Sequence, residues 1–227
     1  MKSKRKILIV VATKDEVNLF IRWLKKNSEC RKLSRNVWIA RKEEDEIMLM
    51  ITGAGIHCTA YQLGKVSSMT FDIVINAGIC GAFDRSLSIG EVVVVKSDCF
   101  SELGAEDGNE FLRASFIGLG NEEVYPKRLY TAGILRNLKR VTGITVNTVH
   151  GNKQSIGKVE KMFHPQVETM EGAAFYYACN QNQWKCVQIR SVSNYVERRN
   201  KKKWNIPLAV QNLNQILIES ICPQNLP

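Results

Sequence analysis

Six strand-length runs of Val, Ile and Leu punctuate this chain: Lys6 to Ala12, Ile47 to Thr52, Asp72 to Asn76, Glu91 to Val95, Ile144 to Val149 and Cys186 to Ser191. Their hydrophobicity is continuous rather than alternating, which suits strands covered on both faces. Helical spacing appears between them. From Lys14 to Asn27 the apolar positions Val17, Phe20, Ile21 and Leu24 recur as on one side of a helix. Near the end, Asn205 reads as an N-cap with Pro207 in the first turn, and Ile206, Val210, Leu213, Leu217 and Ile221 form one face. Strands buried on both sides need helices on both sides, so the spacing predicts an α/β chain built around a central sheet. At 227 residues, 1–227 fits a single core.

Several classes of function are disfavoured by composition and spacing. No unbroken span of roughly 20 apolar residues occurs, so no transmembrane helix is expected. The opening MKSKRKILIVVATKDEV has a basic lead and an apolar stretch. It runs directly into a charged amphipathic segment without a small-residue cleavage site, and reads as a first buried strand. We therefore expect a soluble, cytoplasmic protein. The net charge of +10 sits largely in Lys2 to Lys6 and Arg198 to Lys203. Without aromatic interleaving or a nucleic-acid signature, these clusters read as solvated faces or as a place for a small anion, with no nucleic-acid partner. Seven scattered cysteines (Cys30, Cys58, Cys80, Cys99, Cys179, Cys186 and Cys222) form no CxxC pair and suggest reduced thiols. The three histidines, His57, His150 and His164, show no ligand spacing, so neither a metal nor an organic cofactor is expected.

Unusual residues concentrate where strands end, the position at which α/β sheets hold ligands. These segments are Ala12-Thr13-Lys14-Asp15-Glu16, then Thr52-Gly53-Ala54-Gly55-Ile56 together with Asn76-Ala77-Gly78-Ile79-Cys80-Gly81-Ala82-Phe83, and finally Glu168-Thr169-Met170-Glu171-Gly172-Ala173-Ala174 followed by Arg190-Ser191-Val192-Ser193-Asn194. The polar, poorly periodic stretch Ser97 to Tyr130 reads as an ordered loop region beside a site.

Taken in order with Leu87-Ser88-Ile89-Gly90-Glu91-Val92-Val93-Val94, these segments resemble the nucleoside phosphorylase and nucleosidase superfamily from about Lys6 to Leu217. Glu168 to Ala174, Ser193 to Asn200 and Trp204 to Ala209 are most similar to the futalosine hydrolases, which remove hypoxanthine from futalosine in a menaquinone pathway. The resemblance implies a three-layer phosphorylase/hydrolase-like fold with a central mixed sheet flanked by helices. It further implies a homodimer or higher homo-oligomer and a small-molecule nucleoside substrate. The nearest alternatives within the superfamily are a methylthioadenosine/adenosylhomocysteine nucleosidase and a purine nucleoside phosphorylase.

Cleaving an N-glycosidic bond passes through a ribosyl cation-like state, helped by negative charge near the sugar, hydrogen bonding to the departing base and an activated water. Glu171 is the candidate for the negative charge, although a first-turn glutamate is also favoured by the helix dipole. By spacing alone, Thr13-x-x-Glu16 reads as a capping box; the resemblance places the water-activating glutamate at Glu16. The resemblance also sets an Asp, in adenine-cleaving relatives, where this chain has Asn194. A 6-oxopurine offers two acceptors on its Hoogsteen edge, so an amide donor there suits hypoxanthine or guanine.

Gly78, Met170 and Ser193 complete the expected binding surface by the same resemblance, with Phe100, Leu103 and Trp204 along the 5′ side. Arg198, Arg199 or Lys201 could meet a carboxylate there. The loop His150 to Ser155 falls where relatives hold the base, without the aromatic expected in it. Val74-Ile75-Asn76 lacks the arginine, and Ile79 the hydroxyl, that superfamily phosphorylases use for phosphate, which favours water as nucleophile.

Overall fold

A computed structural model describes residues 4–221, so Lys2 and Cys222 lie outside it. Strand β1 (Arg5–Val11) shows why the apolar runs are continuous. Ile7, Ile9 and Val11 pack on one face with α1 (Asn18–Asn27) and α5 (Ile206–Ile221), while Leu8 and Val10 pack on the other with α2 (Ile56–Gly64) and α4 (Gly172–Gln181). Each buried aliphatic side chain contributes about 1.5–3 kcal/mol, and a strand between two helical layers collects that gain at every position. The expected three-layer α/β arrangement follows.

The other strands are β2 (Glu29–Ser34), β3 (Val37–Lys42), β4 (Asp45–Ile51), β5 (Ile73–Ala82), β6 (Val92–Cys99), β7 (Gly104–Asp107), β8 (Glu110–Arg113), β9 (Glu123–Val124), β10 (Arg140–Thr145), β11 (Val167–Thr169) and β12 (Cys186–Tyr195), with α3 (Lys153–Phe163) between β10 and β11. The main sheet runs β11-β10-β6-β12-β5-β1-β4-β3-β2. It is mixed: β1 lies parallel to β4 and β5, and β12 parallel to β5 but antiparallel to β6. The far end of β5 also pairs antiparallel with β11, Val167 opposite Ala82 and Glu168 opposite Gly81, while β11 pairs with β10. The sheet therefore closes on itself at one end, around Cys80, Ala82, Val93, Val95, Val141, Val167 and Val192.

Four local expectations are corrected. The segment from Lys14 is not one helix, because a 3-10 turn over Asp15–Val17 comes first and Val17 at φ −131° breaks the register before α1. Ile206 does not join the buried face of α5. It sits 39% exposed at the first turn, and Ala209, Leu213, Leu217 and Ile221 form the seam. The strand expected over Ile144 to Val149 starts earlier and stops at Thr145, since the backbone of Asn147 turns to donate to Glu102 Oε2 at 2.9 Å. The Ser97 to Tyr130 stretch holds a hairpin (β7–β8) and the edge pairing of β9 on β6.

Candidate active site

β1, β4, β5 and β12 run in the same direction, so the segments after β1 and β4 and the glycine-bearing part of β5 meet at one region of the sheet. Glu16 reaches it from the 3-10 turn. Its Oε2 accepts hydrogen bonds from Thr13 N at 2.8 Å and Thr13 Oγ1 at 2.9 Å, and its Oε1 accepts from Ile79 N at 3.2 Å. Only the glutamate half of the expected capping box forms, since the Thr13 hydroxyl donates to the carboxylate instead of accepting from the turn: one oxygen holds Thr13 and the other looks into the site. The backbone beneath is tied to α5, where buried Asn214 donates to Glu16 O at 2.8 Å and accepts from Phe20 N at 2.8 Å. That amide serves as the cap that Val17 does not provide for α1.

Glu171 occupies the N-cap position of α4 but makes no side-chain cap. Its carboxylate turns away from its own helix, accepting from Gly55 N at 3.1 Å and from Arg190 Nη1 at 3.4 Å. Helix-dipole complementarity therefore does not explain its presence. Arg190 is the feature that sequence reasoning left without a role. It is 1% exposed, donating through Nε to Gln188 Oε1 at 2.9 Å and through Nη2 to Asn76 Oδ1. A Cβ on Gly78 would fall 2.1 Å from Arg190 Nη1 and 3.0 Å from Glu16 Oε1, so glycine is what lets the guanidinium and the carboxylate share this corner. The signal was present in the apolar run Cys186 to Ser191: an arginine inside a two-sided strand must have buried partners. The absence of an arginine before Gly78 holds along the chain and fails in space, because β12 supplies one from beside it.

Burial pushes the Glu16 carboxyl above the ordinary glutamate range; Arg190 opposes this and the charge of Glu171 adds to it. A base that abstracts a proton from water must be ionised. Turnover should therefore fall as pH drops through this raised value, with an acid limb above that of a free glutamate. A kcat–pH profile checks this, and a rate flat down to the ordinary carboxylate range would contradict it.

On the other side of Gly81, a bulge in β12 re-aims the chain. Val192 pairs with Cys80 and Asn194 with Gly81, so Ser193 is the extra residue. Its hydroxyl lies 2.8 Å from Asn194 Oδ1 and 3.1 Å from Cys80 O, and Asn194 Nδ2 donates to Tyr195 O at 3.1 Å, leaving the second amide hydrogen for a ligand. Asn194 and buried Glu168 flank Gly81. Glu168 holds His150, through the backbone N at 3.1 Å and Nδ1 at 2.7 Å. The loop that lacks the expected aromatic thus presents an imidazole, edge-on to Phe83.

Glu16, Glu171 and Gly78 are brought together, and Ser193 and Asn194 form a second group along the same strands. Met170 is half-buried directly before Glu171. Phe100 bridges to Thr145 and packs against the core under α4, whereas Leu103 is 43% exposed on the turn that follows. Trp204 is half-buried beneath the Arg199 guanidinium, 5.3 Å from its ring centre, and Asn205 N donates to Ser193 O at 2.9 Å. That bond ties this segment to the bulge. Arg198 and Arg199 line a surface cavity of about 400 Å³ with Glu197, Asn200 and Lys203; Lys201 does not line it.

Comparison with known proteins gives the family and the fold. The model of the phosphorylase superfamily matches residues 6–221. A futalosine hydrolase from Streptomyces coelicolor is 29% identical over 151 residues, covering 63% of this chain and 62% of that protein. A 5′-methylthioadenosine/S-adenosylhomocysteine nucleosidase from Colwellia psychrerythraea is 28% identical over 192 residues, covering 76% of this chain and 78% of that protein. The chain spans somewhat over 60% of the length of the futalosine hydrolases it matches. Among solved structures, the Helicobacter pylori 5′-methylthioadenosine/S-adenosylhomocysteine nucleosidase superposes with a TM-score of 0.81 at 15% identity, over 98% of this chain and 100% of that one. With the family model spanning nearly all of its described residues, the chain belongs to the phosphorylase superfamily.

Proposed function

We propose that this protein is a purine nucleosidase that hydrolyses the N-glycosidic bond of futalosine and releases hypoxanthine, as a step of menaquinone biosynthesis. One observation carries the reading: two buried carboxylates, Glu16 and Glu171, gather around a single buried guanidinium at Gly78. Glu171 stabilises positive charge on the ribose as the C1′–N9 bond breaks and its electrons pass to the purine. Glu16 takes a proton from the water that attacks C1′. The departing purine anion accepts a hydrogen bond from the free Nδ2–H of Asn194 and takes up, through solvent, the proton that Glu16 removed from water. The products are a ribosyl hydroxyl and a protonated base.

Water rather than phosphate follows from charge. A phosphate dianion would meet both carboxylates, and the Ile79 N–H that could hold it is already taken by Glu16. The Arg190 charge is likewise engaged with Glu171. At the 5′ end, Trp204 and the basic rim of Arg198 and Arg199 suit an aromatic group ending in a carboxylate. Self-association as a dimer or larger homo-oligomer belongs to the same proposal.

The neutral amide of Asn194 favours a 6-oxopurine over adenine. The Colwellia psychrerythraea relative, a methylthioadenosine-class nucleosidase, makes that the competing reading. Free base is quantified by chromatography after incubation with futalosine, inosine or methylthioadenosine, each with and without phosphate. We expect phosphate-independent release of hypoxanthine from futalosine. Asn194→Asp should shift the preference towards 6-aminopurine nucleosides by about 10-fold or more, the scale of one changed hydrogen-bond pattern. Faster cleavage of methylthioadenosine by the unaltered chain would overturn the assignment.

A further inference from the structure

Asp98, at the end of β6, is 2% exposed and is not among the residues that meet the nucleoside in the mechanism above. Its Oδ1 accepts from Thr145 Oγ1 at 2.8 Å and from Cys99 N at 2.9 Å, and its Oδ2 accepts from Gln188 Nε2 at 3.0 Å. Gln188 Oε1 in turn accepts from Arg190 Nε at 2.9 Å. The order of donors and acceptors is dictated by chemistry. A guanidinium only donates and a carboxylate only accepts, so an amide between them must turn its NH₂ to Asp98 and its carbonyl to Arg190. Asn76 does the same on the opposite side, donating to Val10 O at 3.0 Å and accepting from Arg190 Nη2. Two amides, each with its polarity set from behind, clamp the guanidinium and leave Nη1 for Glu171 and the Gly78 corner.

The start of α4 is shaped to this chain of contacts. A Cβ on Gly172 would fall 2.0 Å from Asp98 Oδ2 and 2.4 Å from Gln188 Oε1, so the residue after Glu171 is glycine because the Asp98–Gln188 pair lies directly against it. Thr145 links the two parts again: its hydroxyl accepts from Ala173 N at 2.8 Å and so has its hydrogen free for Asp98. Burial pushes Asp98 up to about 6, with Gln188, Thr145, Cys99 and Arg190 opposing, so it is mostly ionised at neutral pH.

We propose that Asp98 is a positioning residue that acts through Gln188 to fix the orientation of Arg190, and with it the relative placement of Glu16 and Glu171. The proposal rests on the reading that those two glutamates carry the hydrolysis. It makes a prediction that a merely space-filling cluster does not: reversing the hydrogen-bond polarity at one member breaks the chain of contacts, and reversing it at both restores it. In Asp98→Asn, an NH₂ faces the NH₂ of Gln188. The new amide cannot turn, because its oxygen is held by Thr145 Oγ1 and Cys99 N. In Gln188→Glu, two carboxylates face each other and can rejoin only by sharing a proton, so all variants are compared at alkaline pH, where both are ionised. With both substitutions, the amide at 98 donates to the carboxylate at 188, which accepts from Arg190.

The test is kcat and KM of the full chain on whichever of futalosine, inosine and methylthioadenosine it cleaves fastest. The two single variants, the double variant and Glu171→Gln are compared, with thermal melts confirming that each is folded. Misplacement of catalytic groups costs on the order of 100-fold. We expect each single variant to lose ~10- to 100-fold in kcat, with KM changed by less than about 3-fold, and the double variant to return to within roughly 5-fold of the unaltered enzyme. Should Gln188→Glu fail to fold, the near-isosteric Asp98→Asn decides the matter. Unchanged kcat in Asp98→Asn, or a folded double variant no faster than the slower single one, overturns the positioning role. If Glu171→Gln retains full turnover, the reading beneath the proposal fails; if it is inactive and no rescue occurs, only the proposal does.

Discussion

Glu171→Gln should lower turnover by about 10³-fold in a chain that still folds. Glutamine keeps the volume of the side chain and an oxygen to accept the Gly55 N–H, now 3.1 Å from Glu171 Oε1. What it removes is the negative charge, together with the acceptor that Arg190 Nη1 has at 3.4 Å; Glu16 remains as a counter-charge for the guanidinium, so the chain loses some stability but still folds. A carboxylate about 4 Å from developing positive charge, at an effective dielectric near 20, is worth about 4 kcal/mol, which corresponds to roughly 10³ in rate. The loss should fall on kcat more than on KM, because the ribose becomes cationic only as the bond breaks. Chromatographic assay of released base under saturating substrate measures it. A variant within tenfold of the unaltered enzyme would remove Glu171 from the mechanism.

Arg190→Met should be the most destabilising single change at this site. Methionine fills much of the same space, but Glu16 and Glu171, 8% and 5% exposed, are left without their shared cation. Removing one partner of a buried ion pair costs about 3–5 kcal/mol. For a chain of this size, that lowers the melting temperature by roughly 10 °C. The pH dependence carries the diagnostic sign. Burial already raises Glu16, and loss of Arg190 takes away its largest lowering influence. The native state then holds protons that the unfolded chain releases. The variant should accordingly regain stability in acid and lose it as pH rises through the raised value. Thermal melts in mildly acidic and mildly alkaline buffer read this directly; equal deficits at both would show that the two glutamates are not coupled through Arg190.

Much of this architecture is readable from residue order because it depends on local periodicity. The Lys6 to Ala12 and Cys186 to Ser191 runs become β1 and β12 with their boundaries shifted by a few residues, and the helix beginning after Asn205 forms with that residue's Oδ1 accepting from Leu208 N at 3.2 Å. Among the strands that escaped notice, β2 is the edge of the main sheet and β3 its neighbour. β2 is largely exposed and bears Arg31 and Lys32, so no apolar run marks it. The length of β5 escaped for a different reason. Its second half is glycine-rich, and its partner β11 lies more than eighty residues away.

Glu16 and Glu171 lie in strand-end segments and the family resemblance singles them out, but spacing could not say which way either side chain turns. Thr13-x-x-Glu16 forms only the glutamate half of a capping box, Thr13 N and Oγ1 both donating to Oε2, and the carboxylate faces inward at the same time because its other oxygen is left for Ile79 N. Residue order alone therefore determined the layers, the strand-end location of the site and the residue types that could act there, since each follows from properties of neighbouring residues. Only the tertiary structure decided that Arg190 sits between the glutamates, that Asp98 and Gln188 stand behind it, and that Gly78 and Gly172 are the gaps admitting them. Several of those contacts join residues more than a hundred positions apart, and the burial that makes them strong exists only after the chain has folded around them.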